Sequence, residues 1–505
     1  MPVATWRCAQ AGLDETDTQP RVRMRAERVV WALVATVGLF LLWSRFARVN
    51  TSLWNDEAYS AMTFVDRGPV SMYSGYYNPN NHLLFSLLSW ATTNIVGHSE
   101  AAYRIWSVVP GIAAVGVVGS WARHRLRPLA GAAVIVLATM SSVHLVLSAQ
   151  ARGYGLGFLA GAGMLVAAMG VSDRGGRRDL ALFGGFAAIG IWTLPQFAAA
   201  FVAHAGVLLV VRRDLRRRIF VTGCIVAAAS LAFYISLLDQ MVNTSQDDYG
   251  LTPLPWLSWI NGPYSDLARP TLAPFLPDPL TSGPWLVVLY LAFGTLGVRW
   301  LWRRGERALL LLLVVPPIVT LVVLTIARVG FASRFISFLL FHLVVLLALG
   351  IAELWDLARP RAVRLLLVAL AAGLVMVAGH NTVEYTRTLP FENAKRVKQI
   401  VDASGIDGLL FTNSTRPFAL QYYFGQKRLK TRASLALSGF LPGSAWPGWA
   451  EDKFCNRSEP FVYVAHESPL APEPDISCLR ARHAKHVYVG PNLRGKMDVW
   501  LVAAR

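Results

Sequence analysis

The heptapeptide Leu53-Trp-Asn-Asp-Glu-Ala-Tyr59 sets two carboxylates, Asp56 and Glu57, side by side just beyond the first long apolar stretch of the chain. One reading is local: Asn55 and Asp56 are good helix N-cap types, and Glu57 suits a first turn, where a carboxylate meets unpaired N–H groups. The other reading is chemical, and it gains weight from the polar residues expected on the same side of the membrane. These are Asn78, Asn80, Asn81 and His82, Arg104, then Gln150, Arg152 and Tyr154, then Asp247 and Asp248, and finally Arg328 and Arg334. Arg152 stands in Gln-Ala-Arg-Gly-Tyr and Arg334 in Ser-Arg-Phe, so each begins an apolar segment in aromatic company. A guanidinium can hold a phosphate through two N–H donors, and an adjacent ring can flank a lipid or a sugar. The competing role for each arginine is snorkelling toward lipid headgroups.

The elements that must position these residues follow from composition. In 505 residues, 54% are hydrophobic, only 15% are charged and the mean hydropathy is +0.43, which describes a polytopic α-helical membrane protein. The net charge of +18 does not signal a nucleic-acid partner, because arginine runs occupy the short gaps between apolar segments: 21–28, 123–127, 174–178, 212–218, 303–307 and 359–364. That is the pattern of cytoplasmic loops under the positive-inside rule, and it predicts about 11–13 spans. Residues 1–28, which lack a signal-peptide cleavage site, read as a cytoplasmic tail, and 29–389 as the multi-span domain with outer loops at 45–81 and 239–283. Segment 82–96 is the exception. If it crossed, the arginines at 123–127 would fall outside, so it is expected to be interfacial or only partly inserted. Segment 180–211 reads as an outward and inward pair bent at Pro195.

Residues 390–505 change character. Helical periodicity over 391–403 and short β-rich runs at 408–411, 461–465, 486–489 and 498–502 predict a small extracytoplasmic α/β domain. Cys455 and Cys478 both lie there and form a candidate disulfide for an oxidising compartment. No nucleotide-binding glycine loop and no tight metal-ligand spacing occurs, so no cofactor is required; a divalent metal remains open, since acids and a histidine share the outer face.

Taken together, Asp56-Glu57 after the first span, Asn80-Asn81-His82-Leu83-Leu84, Tyr103-Arg104, Ala151-Arg152-Gly153-Tyr154 and Ser333-Arg334-Phe335 resemble the GT-C superfamily of membrane glycosyltransferases. The nearest pattern is the branch of protein O-mannosyltransferases and aminoarabinose transferases, over roughly residues 28–380. The resemblance implies transfer of a sugar from a polyprenyl-phosphate donor to a lipid, glycan or protein acceptor, at the outer face of a bacterial-type plasma membrane. It implies that Asp56 is the general base for the acceptor hydroxyl, that Glu57 supports the site, and that Arg152 and Arg334 bind the donor phosphate. Tyr59, Asn81, His82, Arg104 and Tyr154 are candidate substrate-binding residues. A single displacement with no enzyme nucleophile would invert the anomeric carbon. Relatives often carry His-Pro-Pro where this chain has His82-Leu83-Leu84, which weakens the transfer of a role to His82. A transporter or flippase, or a non-catalytic envelope-assembly subunit, would also account for many spans. The first would favour internal repeats, which the sequence does not show, and the second would tolerate loss of the acidic pair.

Overall fold

The computed structural model describes residues 36–75 except 41, 81–241, 284–326, 336–358, 393–412, 418–425, 429–431, 458–467, 484–492 and 495–503, with isolated residues elsewhere. Among these residues the architecture is a helical bundle with a mixed sheet at one end. Five helices are long and apolar enough to cross a membrane: Glu100–Arg125, Tyr154–Asp173, Arg213–Tyr234, Arg307–Leu324 and Ser337–Leu357. A span needs roughly 20 residues at 1.5 Å each to cross hydrocarbon, and these meet that length. Their outward faces carry exposed Phe220, Ile225, Leu231 and Ile318, a pattern suited to lipid rather than water.

Helix ends alternate between the two ends of the bundle. Arg125, at the C-terminus of Glu100–Arg125, pairs with Asp173 at the C-terminus of Tyr154–Asp173 and with Glu306 before Arg307–Ile326. Arg127 pairs with Asp356 near the C-terminus of Leu340–Leu357. Among the described residues, the arginines of the 123–127 and 212–218 gaps therefore gather at one end, and the acidic pair lies at the other.

The helix Leu83–Val96 departs from this alternation. Its N-cap His82 bonds to Thr193 at the end of Arg177–Thr193, while His98, just past its C-terminus, bonds to Tyr103 in the first turn of Glu100–Arg125. Both contacts lie at the acidic-pair end, so this 14-residue helix starts and stops on the same side. The expectation of a non-crossing segment agrees with that placement. Segment 180–211 is likewise two helices, Arg177–Thr193 and Phe197–Val211, joined by a turn at Leu194–Gln196 that contains Pro195. Proline has no N–H to continue the ladder, and the chain reverses there.

The C-terminal residues form a five-stranded sheet in the order β2-β1-β3-β5-β4, where β1 is Leu409–Thr412, β2 Leu429–Thr431, β3 Phe461–Glu467, β4 Lys485–Asn492 and β5 Gly495–Val502. β1 runs parallel to β2 and β3, and β5 runs antiparallel to β3 and β4. Parallel neighbours need a crossover, and the helix Phe418–Phe424 occupies the one between β1 and β2. The amphipathic helix Ala394–Ser404 precedes the sheet and turns its Val397 and Val401 inward. One apolar core joins this unit to the bundle. Val397, Leu420, Val464 and Val499 cluster with Leu53, Ala58, Val65 and Phe85. Cys455, Cys478, Asp247, Asp248, Arg328 and Arg334 lie outside the described residues.

Candidate active site

The acidic pair sits on a short helix, Asn55–Ser60, which continues as a wider turn over Ala61–Val65. The two carboxylates point into different surroundings, as neighbours 100° apart on a helix must. Glu57 is 1% exposed and takes four donors: Arg104 Nε at 3.0 Å, Arg104 Nη2 at 2.6 Å, the Trp54 N–H at 3.0 Å and the Ala151 N–H. A carboxylate accepts about four hydrogen bonds, so this one is saturated. Arg104 is equally committed. Beyond Glu57, its Nη1 donates to the carbonyls of Arg48, Val49 and Thr51, and its Nη2 to that of Ser52. The pair pins the 48–57 segment to the Glu100–Arg125 helix and to the backbone at Ala151.

Asp56 faces the other way. Its Oδ2 lies 2.7 Å from Arg152 Nη1, and its side chain is 22% exposed where that of Arg152 is 2% exposed. Asp56 is thus the charged member of the cluster that reaches the surface. Arg152 Nε and Nη2 lie 3.2 and 3.1 Å from His82 Nε2, and His82 Nδ1 lies 3.3 Å from the Thr193 carbonyl. These distances assign the tautomer. Nδ1–H donates to Thr193, and the Nε2 lone pair receives the guanidinium, because a guanidinium has no acceptor to offer. The Ser107 hydroxyl donates to the Arg152 carbonyl and accepts from its N–H, which fixes the backbone that presents this arginine. Gly153 follows because the chain passes close to neighbours at this turn: a Cβ there would collide with the Thr193 and His82 side chains.

The other expected residues divide around this centre. Tyr154 stands beside it, its ring edge-on to His82 at 5.0 Å and under the Arg152 guanidinium at 5.3 Å; its hydroxyl is buried with no hydrogen-bond partner among the described residues. Asn81 turns away, donating to the Met72 and Gly75 carbonyls and accepting from Ser86, so it closes its own loop. Tyr59 packs its ring between Phe64 and Phe418. Among the described residues there is no group of three His, Cys, Asp or Glu side chains that could hold a metal ion.

Two arrangements are not legible from the motifs. Arg45 is fully buried and spreads its guanidinium over Ser44 Oγ at 2.8 Å, His144 Nδ1 at 2.8 Å and Ser148 Oγ at 3.4 Å. In sequence it falls at the start of the outer loop 45–81, yet it sits in the same Ser-Arg-Phe triplet as Arg334, a repeat that would have marked it. The second is the docking of Phe418–Phe424 on the acid-bearing helix. There Tyr423 Oη accepts from the Leu53 N–H at 2.9 Å and donates to Glu100 Oε1 at 3.1 Å, and Asn55 Oδ1 accepts from the Ala419 N–H at 3.4 Å. Burial raises the Tyr423 hydroxyl above the ordinary tyrosine range, so it keeps its proton to donate.

No protein-family model and no curated protein matches the chain. Among solved structures it is similar to ArnT from Cupriavidus metallidurans in the apo state, at 14% identity over 94% of this chain and 98% of that one, with a TM-score of 0.49. The same ArnT bound to undecaprenyl phosphate gives 13% identity, 95% and 98% coverage and a TM-score of 0.40. The Archaeoglobus fulgidus oligosaccharyltransferase in complex with Zn and sulfate gives 13% identity and a TM-score of 0.47, over 78% of this chain and 61% of that one. ArnT and this oligosaccharyltransferase are GT-C superfamily members, the superfamily the sequence motifs resemble. At TM-scores below 0.5 these likenesses carry no weight for the chemistry, which rests on the residues themselves.

Proposed function

We propose that the chain is an inverting GT-C-type glycosyltransferase that moves a sugar from a polyprenyl-phosphate donor to an acceptor hydroxyl at the outer face of the membrane. The observation that carries this reading is the Asp56–Arg152 pair at 2.7 Å, with the acid partly exposed and the arginine buried behind it on His82. An aspartate placed so is oriented by its partner and reachable by substrate. Asp56 takes the proton of the acceptor hydroxyl as that oxygen attacks the anomeric carbon and the bond from that carbon to the phosphate oxygen breaks. The electrons of that bond leave on the lipid phosphate, and one displacement inverts the centre.

Within this mechanism the roles separate. Glu57, saturated by Arg104 and two backbone N–H groups, positions the helix. Arg152 reaches a donor phosphate only by sharing its guanidinium with Asp56, which would couple arrival of the donor to the setting of the base. Arg334 remains the proposed second phosphate ligand. Tyr154, with its buried hydroxyl beside the pair, is the proposed contact to the sugar or phosphate. The arginine-rich gaps at the opposite end of the bundle support the outer-face orientation.

The test uses purified full-length protein and labelled polyprenyl-phosphate sugars, comparing wild type with Asp56→Asn. The expected loss is about 10²–10⁴ in turnover, the usual contribution of a general base. Equal transfer by the variant removes Asp56 from that role, and no transfer by wild type from any such donor removes the transferase reading. Orientation is checked separately: a cysteine placed at the exposed Arg67, in the same outer loop, and one at Lys398 should both react with an impermeant thiol reagent in intact cells.

A further inference from the structure

The contact between the C-terminal unit and the acid-bearing helix is more than apolar packing. The Tyr423 hydroxyl bonds to the Leu53 N–H, three residues before Asp56, and to Glu100 at the start of the helix that carries Arg104. Asn55, adjacent to Asp56, caps the first turn of Phe418–Phe424 through the Ala419 N–H. The Lys395 N–H donates to Ser52 Oγ at 3.2 Å, and Lys395 Nζ reaches Glu100 Oε1 at 2.9 Å and the Asn50 carbonyl at 3.2 Å. Phe418 lies 4.8 Å from Tyr59, and Tyr422 lies 6.3 Å from Tyr103. The segment 50–59 is therefore held on one side by Arg104 of the bundle, through Glu57, and on the other by Lys395, Phe418 and Tyr423 from the C-terminal unit.

Short helices have little stability of their own, because nucleation costs more than a few residues return. The six residues of Asn55–Ser60 must take their rigidity from what packs on them. Glu57 is fixed from the bundle side. The backbone before Asp56 has its N–H at Leu53 satisfied by a group that lies 370 residues further along the chain.

We propose that Tyr423 is a positioning residue for Asp56, and that the C-terminal α/β unit is in this way part of the active site. The proposal rests on the assignment of Asp56 as the base. A base must be held within a fraction of an ångström of the proton it takes, and slack at this distance is felt in turnover before it is felt in donor binding. Arg152, proposed to meet the phosphate, takes no contact from Tyr423 among the described residues, so donor affinity should be spared.

The experiment uses full-length Tyr423→Phe, which removes one oxygen and keeps the ring. Two quantities are read in nanodiscs, steady-state transfer and amide hydrogen exchange over residues 50–60. Tyr423→Phe should lower kcat about tenfold, leave KM for the donor within about twofold, and speed exchange at Leu53–Ser60 by about tenfold, as loss of one buried hydrogen bond permits. Lys398→Ala, on the same unit and in an exposed pair with Asp402, should change neither quantity. Unchanged exchange, or faster exchange with full kcat, overturns the proposal; so does a lower kcat with unchanged exchange. Should Tyr423→Phe not fold, Ser52→Ala removes the hydroxyl that accepts the Lys395 N–H and carries the same expectations. If wild type transfers no sugar, the transferase reading falls, while the exchange data still decide whether Tyr423 fixes this backbone.

Discussion

The two ends of the bundle use the same chemistry, arginine against carboxylate, in opposite ways. At the arginine-rich end, Arg125 meets Asp173 and Glu306, Arg127 meets Asp356, and Arg212 meets Asp214, with side chains about one-fifth to three-fifths exposed. At the other end, Arg104 and Glu57 are 4% and 1% exposed, and Arg152 is 2% exposed against Asp56. Exposed pairs are screened and contribute roughly 0–1 kcal/mol, so the first set reports topology and trims loops. Buried pairs cost desolvation that only good geometry and further hydrogen bonds repay. A chain that maintains two such pairs side by side is using them to hold something in place, and what they hold is the carboxylate of Asp56.

If burial is what separates the ends, the largest effect should come from breaking the saturated pair. Arg104→Ala leaves the buried Glu57 side chain without its guanidinium partner, and strips donors from the carbonyls of residues 48, 49, 51 and 52. The expected loss is about 3–5 kcal/mol, read as a fall in folded yield and in the unfolding midpoint in detergent. A small shift would mean that the bundle does not depend on this clamp. Asp56→Asn should separate from it, with a smaller destabilisation, because Asp56 is 22% exposed and the asparagine oxygen still accepts from Arg152, and with the loss of turnover given above. If instead it destabilised as much as Arg104→Ala, Asp56 would be a structural partner rather than a base.

His82 should fall between. It orders Arg152 through Nε2 and is itself ordered by Thr193 through Nδ1. His82→Gln keeps a donor and an acceptor but loses the ring against Tyr154, and the expectation is a fall of about tenfold in turnover with modest destabilisation, about 1 kcal/mol. His82→Ala should cost more in both, because the Arg152 donors lose their acceptor. Equal activity of Ala and Gln variants would show that Arg152 needs no support from this side.

The contrast between the ends also marks what could be read from sequence. Span-length apolar runs and the proline at 195 specify helices and their reversal through local rules, and the positive-inside pattern at 123–127 is what set segment 82–96 apart from the spans. The β-rich runs at 408–411, 461–465, 486–489 and 498–502 placed four of the sheet's five strands, whereas the three-residue β2 carries too little pattern to see. The acids were visible because carboxylates are rare in such a chain. Their division of labour was not, since Glu57 and Asp56 differ only in what lies across the fold: Arg104, 47 residues on, and Arg152, 96 residues on. Tyr423 was out of reach for the same reason, because nothing local distinguishes a tyrosine that bonds to its own helix cap from one that bonds to Leu53.

The smallest effect is expected where the pairing looks most generous. Arg127 makes two hydrogen bonds to Asp356, at 2.7 and 3.1 Å, and would rank beside Arg104–Glu57 on geometry alone. The aspartate, however, is 44% exposed and the arginine 24%, so both ions keep much of their water when the pair is broken. Arg127→Ala should therefore cost under about 1 kcal/mol, with the effect shrinking as salt is raised, and leave kcat and KM unchanged. Arg104→Ala should be nearly insensitive to salt, because its partner never meets the solvent. A midpoint shift for Arg127→Ala as large as that for Arg104→Ala, or a salt response shared by both, would show that burial does not divide the two ends. The case that the acidic end was built to position Asp56 would then lose its physical footing.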